Sequence, residues 1–378
     1  MTQTASVEHR MLLDTIERFC REVLAPKAAE IDRTGRSATC HLTGLSELGI
    51  MGLNLPEEHG GIGLPAPVLF EAVALMAAAC GSTASMVTAH WLATDSVLIG
   101  GDDAIRARIL PDAAAGIKLG AFALSEPGAG SNPAEMTAVA TREGDHYRLS
   151  GTKHFISNAG EAGFIVVYAK TDKAAGARGI SAFLVDPKRD GVRIFAPEQT
   201  MGLRGSHICE IAFDCTVPAM DRIGPEGSGF RTALKVLDAG RVEIAACSVG
   251  IAEAALAAAV DWSRQRKVGG VPIADFQGLQ WMLADMATDI AAARALGLTA
   301  AGRREHGERF SKNASMAKLF ASEMVDRVTD NALQIHGGYG YTAGLPLERY
   351  VRDCRIFRIF EGSSEIQRNI IARWVLDS

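Results

Sequence analysis

Hydrophobic positions along the chain repeat with two different periods. In "HRMLLDTIERFCREVLAPKAAEID" Met11, Leu12, Ile16, Phe19, Val23 and Leu24 recur at the 3.6-residue spacing of an amphipathic helix. "APVLFEAVALMAAA" continues that pattern, and Pro56, Gly60, Gly61, Gly63 and Pro65 mark a loop between the two. From near Gly120 the segments shorten and turn β-like: "FIVVYAKTD", "GISAFLVD", "GVRIF" and "CEIAFDCTV". In the last, Ile211, Phe213 and Cys215 alternate with polar neighbours, the period of a half-buried strand. After Gly229 helical periodicity returns over about 231–264, 275–303, 313–336 and 364–376. The order predicts an α+β chain in three domains: helices over 1–119, a β-domain over 120–229 and a helical bundle over 230–378.

Composition narrows the class. The 378 residues are 48% hydrophobic and 22% charged, ordinary values for a globular protein with a large core. A formal net charge of −5 argues against nucleic acid or an anionic membrane surface as partner. No apolar run is expected to reach the roughly 18 residues that span a bilayer. "MTQTASVEHRMLLDTIERF" lacks the basic-then-apolar order of a signal peptide. Seven scattered cysteines without a CxxC fit buried thiols in a reducing compartment. Nine histidines without HxH or HxxxH spacing give a metal site no support. A cytoplasmic protein without metal is expected.

Four stretches carry candidate chemistry, each with an ordinary structural alternative. "LSEPGAGSN" (124–132) is either a plain turn or a phosphate cradle, with Gly128 and Gly130 allowing close approach and Ser125 and Ser131 donating. In "GTKHFISNAG", Phe155 and Ser157 share one face of a strand, suited to stacking on a planar heterocycle or simply to a core edge. "QIHGGYGYT" ends a helix at Gly337-Gly338. In "FRIFEGSSEIQR", Ser364 and Gln367 have capping-box spacing, which sets Glu361 just before a helix start. There the helix dipole favours the carboxylate while burial raises its pKa, the balance a general base needs.

"FALSEPGAGS", "GTKHFISNAG", "RQRKVGG…DFQ", "QIHGGYGY" and "IFEGSSEIQR" follow one another in an order and spacing that resemble the acyl-CoA dehydrogenase family over essentially the whole chain. The resemblance implies an all-α N-terminal domain, a middle β-barrel or sandwich and a C-terminal four-helix bundle. It implies non-covalent FAD, contacted by Phe122, Leu124, Ser125, Gly130 and Ser131 and packed on Phe155, Ile156 and Ser157. Arg266, Gln277, Gln334, Gly337 and Gly338 match segments that reach the FAD of a neighbouring subunit, and Ser363 and Glu365 match residues lining the flavin. Ser131, Asp238, Arg241 and Gly362 match positions that hold acyl-CoA. Glu361 matches the base that removes the α-proton of the thioester. An electron-transferring flavoprotein as acceptor and a homo-oligomer, a tetramer by family habit, are implied as well.

Some departures from the family pattern bear on function. Val268 and Gly269 stand where an aromatic usually follows the arginine. Gly240 occupies the place to which some relatives move the base, and Glu243 one turn on is a rival to Glu361. Ala84 stands where relatives taking dicarboxylyl-CoA place an arginine, which predicts a neutral acyl chain, short to medium or branched. Alternative readings are a monooxygenase, oxidase or desulfinase of the same fold, a dehydrogenase of carrier-protein-bound acyl groups, or a non-catalytic acyl-CoA-binding protein.

Overall fold

The computed structural model describes residues 6–377. The reading against a signal peptide falls partly on residues 1–5, outside the described residues. Six helices open the chain: α1 (Val7–Phe19), α2 (Ala25–Thr34), α3 (Leu42–Glu47), α4 (Ala66–Ala79), α5 (Gly81–Gly100) and α6 (Asp103–Ala114). Their starts follow capping chemistry: Ser6 accepts from the His9 amide at 3.1 Å, and Asp102 accepts from the Ile105 amide at 2.9 Å. α1 and α2 are joined by one turn of π-helix at Cys20–Leu24, which periodicity reads as uninterrupted helix.

Eight strands follow: β1 (Gly120–Ala123), β2 (Val139–Glu143), β3 (His146–Ser157), β4 (Phe164–Lys170), β5 (Ile180–Val185), β6 (Val192–Ile194), β7 (Ile208–Pro218) and β8 (Arg222–Ile223). They run in the order β6-β7-β3-β2-β4-β5-β8, with β1 pairing parallel to β4. β2 joins β4 through one pair, Val139 with Lys170, so the sheet divides into two halves. Tyr147 of β3 and Phe183 of β5 meet between them, ring centroids 5.0 Å apart, in a core shared with Leu149, Val167 and Ile211. The β3–β7 ladder slips between Lys153 and Ile156, and this bulge turns Phe155 outward at φ 58°.

Helices then return as α7 (Gly229–Gln265), a short hairpin β9 (Lys267–Val268) and β10 (Val271–Pro272), α8 (Gln277–Glu305), α9 (Ser311–His336), α10 (Gly338–Tyr341), α11 (Leu347–Cys354) and α12 (Ser364–Leu376). α7, α8 and α9 pack on one another with α12 laid on α9, a helical bundle, and α4 and α5 lie against α7. α7 corrects one expectation. By length and composition it is apolar enough to cross a bilayer, yet 72% of its most apolar window is buried within the protein. Its apolarity serves a helix enclosed on several sides.

Candidate active site

Glu361 sits in the loop between Phe360 and α12 with φ 52°, followed by Gly362 at φ 90°. A left-handed glutamate costs on the order of 1 kcal/mol or more, so surrounding bonds must hold it. Those bonds converge on the loop's carbonyls. Gln367 Nε2 donates to Glu361 O at 3.2 Å and to Gly362 O at 2.8 Å. Lys318 Nζ donates to Gly362 O at 2.7 Å, and Arg241 Nε reaches Glu361 O at 3.5 Å. Arg241 is anchored by Asp238 at 2.6 Å, and Asp238 also accepts from Ser311. Of the four residues singled out on the substrate side, Asp238, Arg241 and Gly362 therefore join Glu361 in one hydrogen-bonded cluster, and Ser131 lies with the β-domain loop instead.

The backbone is thus fixed while the carboxyl is left free. Glu361 Oε2 is sealed from water and has no hydrogen-bond partner among the described residues. It points at α7, where a Cβ on Gly240 would stand 2.3 Å from it. Residue 240 and the carboxylate therefore compete for one space, and glycine gives it to Glu361. Burial raises the Glu361 pKa to about 7, with Lys318 and Arg241 pulling the other way. Burial likewise pushes Lys318 down to about 8, against the attraction of Glu361. Glu361 can thus be ionised near neutrality and still accept a proton.

Glu243 is different. It is 3% exposed, and burial, reinforced by Asp95, holds its pKa far above the carboxylate range.

A second group of predicted residues gathers on the β-domain. The "EPGA" turn closes on itself through paired backbone bonds between Glu126 and Ala129. Lys153 Nζ, fully buried on β3, donates to Leu124 O at 3.0 Å and to Glu126 Oε1 at 2.9 Å. The Glu126 carboxylate also accepts from the amides of Thr137 at 2.6 Å and Ala138 at 3.0 Å. The amide of His154 donates to Ser125 O at 3.0 Å. These bonds set the 124–131 loop beside the bulge at Phe155, a residue 59% exposed whose ring stacks on His154 with centroids 4.0 Å apart. Ile156 is buried and Ser157 is half-buried. Phe122 leans on Tyr168, centroids 5.2 Å apart. Among the described residues, no atom beyond the adjacent residues lies within 4 Å of a Cβ built on Gly128 or Gly130, and Ser131 is exposed. An outward aromatic ring on a strained bulge beside an open glycine turn fits FAD: a face for the ring system and amides for its phosphates.

The third group lies elsewhere. Arg266 follows the end of α7 and stands over Tyr339 at 5.9 Å, while Trp262 stacks on His336 at 5.0 Å. The Ile273 amide bonds Arg266 O at 2.8 Å, which folds the hairpin back and sets Gln277 at the start of α8. Gln334, Gly337 and Gly338 are exposed beside them. Gly240 and Gln265 are separated along α7 by 25 residues of continuous helix, roughly 37 Å. Arg266, Gln277, Gln334, Gly337 and Gly338 are therefore not brought to Glu361 within one chain.

One sequence reading is corrected. Ser363, not Ser364, precedes α12 at the N-cap, and no side chain caps it. Gln367 turns instead to the Glu361 and Gly362 carbonyls, because a left-handed pair leaves those acceptors facing it. Glu365 is exposed and Ser363 half-buried beside the loop. Lys318 and the Glu126–Lys153 pair were not singled out in the sequence, and Gln367 was read only as a capping-box partner. A lysine or glutamine within a helical pattern reads as a solvated position, and only burial distinguishes these.

Family models described as acyl-CoA dehydrogenase N-terminal, middle and C-terminal domains match residues 6–117, 121–216 and 227–376. An acryloyl-CoA reductase (NADH) of Anaerotignum propionicum is 41% identical over 98% of this chain and 94% of its own. Butyryl-CoA dehydrogenase from Megasphaera elsdenii superposes with a TM-score of 0.97 at 37% identity, covering 100% of both chains. A chain in the structure of the electron transferring flavoprotein of Acidaminococcus fermentans does so at 0.97 and 39%, again over 100% of both.

Proposed function

Since the chain belongs to the acyl-CoA dehydrogenase family, we propose that it oxidises a short acyl-CoA to the trans-2-enoyl-CoA with Glu361 as the base that removes the α-proton. The observation that carries this is the free Glu361 carboxylate, with a pKa near 7, in a loop whose carbonyls are tied by Gln367, Lys318 and Arg241. Such a base is held in place by its backbone, and its lone pair is left for substrate. The enzyme is FAD-dependent, and FAD when bound supplies the acceptor for the β-hydrogen as hydride. Phe155, Ser157 and the 124–131 loop would hold its ring and pyrophosphate, as argued from the exposed ring and open turn. Arg241 and Asp238 would flank the acyl-CoA in this reading, and Arg241 is itself buried beside the base.

Arg266, Gln277, Gln334, Gly337 and Gly338 would serve the FAD of a second subunit, which makes the working unit a dimer at least and by family habit a tetramer. The roughly 37 Å of α7 between the two groups supports this. An electron-transferring flavoprotein is the acceptor in this reading, and the compartment is the cytoplasm. Anaerobic titration with butyryl-, isobutyryl-, hexanoyl- and glutaryl-CoA tests it: the oxidised flavin band should bleach with one of the first three without NADH or oxygen. Better bleaching by glutaryl-CoA would overturn the neutral-chain reading, since α5 carries no arginine or lysine and Ala84 is buried.

Reduction of an enoyl thioester is the same bond change run backwards, and the similarity to an acryloyl-CoA reductase makes it the second reading. Consumption of acryloyl-CoA with NADH, without bleaching by any saturated acyl-CoA, would select it.

A further inference from the structure

Beyond Glu361 the paired helices α5 and α7 turn acidic. Glu243 lies one helical turn past Gly240, and Asp95 lies at the same spacing past Leu92, whose methyl would meet a Cβ on Gly240 at 2.8 Å. The two acids share one guanidinium: Arg304 is 3.5 Å from Asp95 Oδ2 and 3.8 Å from Glu243 Oε1. Asn54 Nδ2 donates to Asp95 Oδ1 at 2.7 Å and to Thr94 Oγ1 at 3.1 Å. The Asn54 amide and the Arg304 guanidinium are thus both directed at these acids. Both Glu243 oxygens, Asn54 Oδ1 and Glu361 Oε2 are nevertheless buried without a hydrogen-bond partner among the described residues. Unmade hydrogen bonds on buried groups are costly, and four acceptors together point to a missing donor.

The position of this group suits the far end of an acyl chain. Asp238 and Arg241, which the proposed function sets at the CoA side, lie on the other flank of Gly240. Three residues of helix, about 4.5 Å, separate Gly240 from Glu243, a length that a chain of about four to six carbons spans from its α-carbon. A purely apolar tip would leave all four acceptors unpaired. A carboxylate tip would meet two acids whose only nearby cation is already shared.

Resting on the dehydrogenase reading, we propose that Glu243, backed by Asp95 and Asn54, is a specificity-determining end wall of the acyl pocket, and that the acyl chain the enzyme takes carries a hydroxyl at its distal end. A hydroxyl donates to one acceptor and accepts in return from a protonated carboxyl, which an ammonium or a methyl does not do.

The test compares butyryl-, 4-hydroxybutyryl- and 4-aminobutyryl-CoA and their six-carbon counterparts. Binding is measured by calorimetry on the holoenzyme carrying Glu361→Gln, so that the wall is read whether or not the thioester is oxidised. The hydroxylated chain of one length should bind at least about tenfold more tightly than its unsubstituted partner. Glu243→Leu should abolish that preference, and Glu243→Gln, which keeps an acceptor and a donor, should retain part of it. An unsubstituted chain bound as tightly as the hydroxylated one, a preference that survives Glu243→Leu, or tighter binding of the amino chain each overturns the proposal. If neither leucine nor glutamine folds, the preference of the Glu361→Gln protein still decides. Bleaching of the parent flavin is scored separately: its absence with all six thioesters defeats the dehydrogenase reading and leaves the binding result to stand by itself.

Discussion

Lys318, with no solvent exposure, sits with its ammonium 2.7 Å from the carbonyl oxygen of Gly362, one residue beyond Glu361. The same cation ties down the loop and favours the ionised base. The base works only when deprotonated, so flavin reduction should rise with pH through an apparent pKa near 7. In Lys318→Met the stabilising cation is gone, and the limb should move to higher pH. Stopped-flow reduction between pH 5.5 and 9 checks this; equal loss of rate at every pH would reduce Lys318 to loop support.

Glu361→Gln keeps shape and removes basicity. FAD content and acyl-CoA binding should change little, while flavin reduction falls by about 10²- to 10⁴-fold. Glu361→Asp should retain partial activity. Stability supplies an independent reading. The folded pKa, about 7, lies above the ordinary 4.5, so the folded state holds the extra proton between these values. Stability from this group is therefore present below pH 4.5 and is lost as pH rises toward 7. Glu361→Gln should melt higher than the parent at pH 8, with the difference closing at pH 5.

Gly240→Ala introduces a Cβ 2.3 Å from Glu361 Oε2 and 2.8 Å from Leu92 Cδ2. The carboxylate must be displaced, and reduction should fall by at least about tenfold with FAD retained. Because the two positions compete for one space, Gly240→Glu combined with Glu361→Gly should recover activity above either single variant. Flavin bleaching rates of the four proteins measure the coupling.

Lys153→Met breaks a pair in which lysine and glutamate side chains are 0% and 3% exposed. Removing one partner of a buried pair costs about 3–5 kcal/mol. The loss should appear as a lower urea midpoint and, since Lys153 also holds Leu124 O, as reduced FAD occupancy on gel filtration.

Much of this arrangement was readable in the chain. Ile16 and Leu24 reveal their helix through period, and Ile211, Phe213 and Cys215 reveal their strand, because each of these positions faces the core, whereas Met11 shares the helical period yet stands 65% exposed. The long C-terminal helices were expected within two residues of their ends. What escaped depends on partners distant in sequence. Nothing local tells that Lys153 lies 27 residues from the acid it neutralises, or that Gln367 abandons a cap for two carbonyls. The bulge at Phe155 was equally silent, since alternation on either side is preserved and only the pairing register with β7 records the extra residue.

α7 carries Gly240 and Arg241 in its first half and delivers Arg266 just past its end, so in the proposed assembly one helix would contribute to two reaction chambers. In an assembly built this way defects are exchangeable between copies. A chain lacking the base but keeping Arg266 can complete the chamber of a chain with the opposite lesion. Co-expression of Glu361→Gln with Arg266→Ala should thus restore activity that neither parent shows fully, as one chamber of each mixed pair regains both parts. Inheritance of damage in such a protein is a property of the pair: two different broken copies work better together than two identical ones.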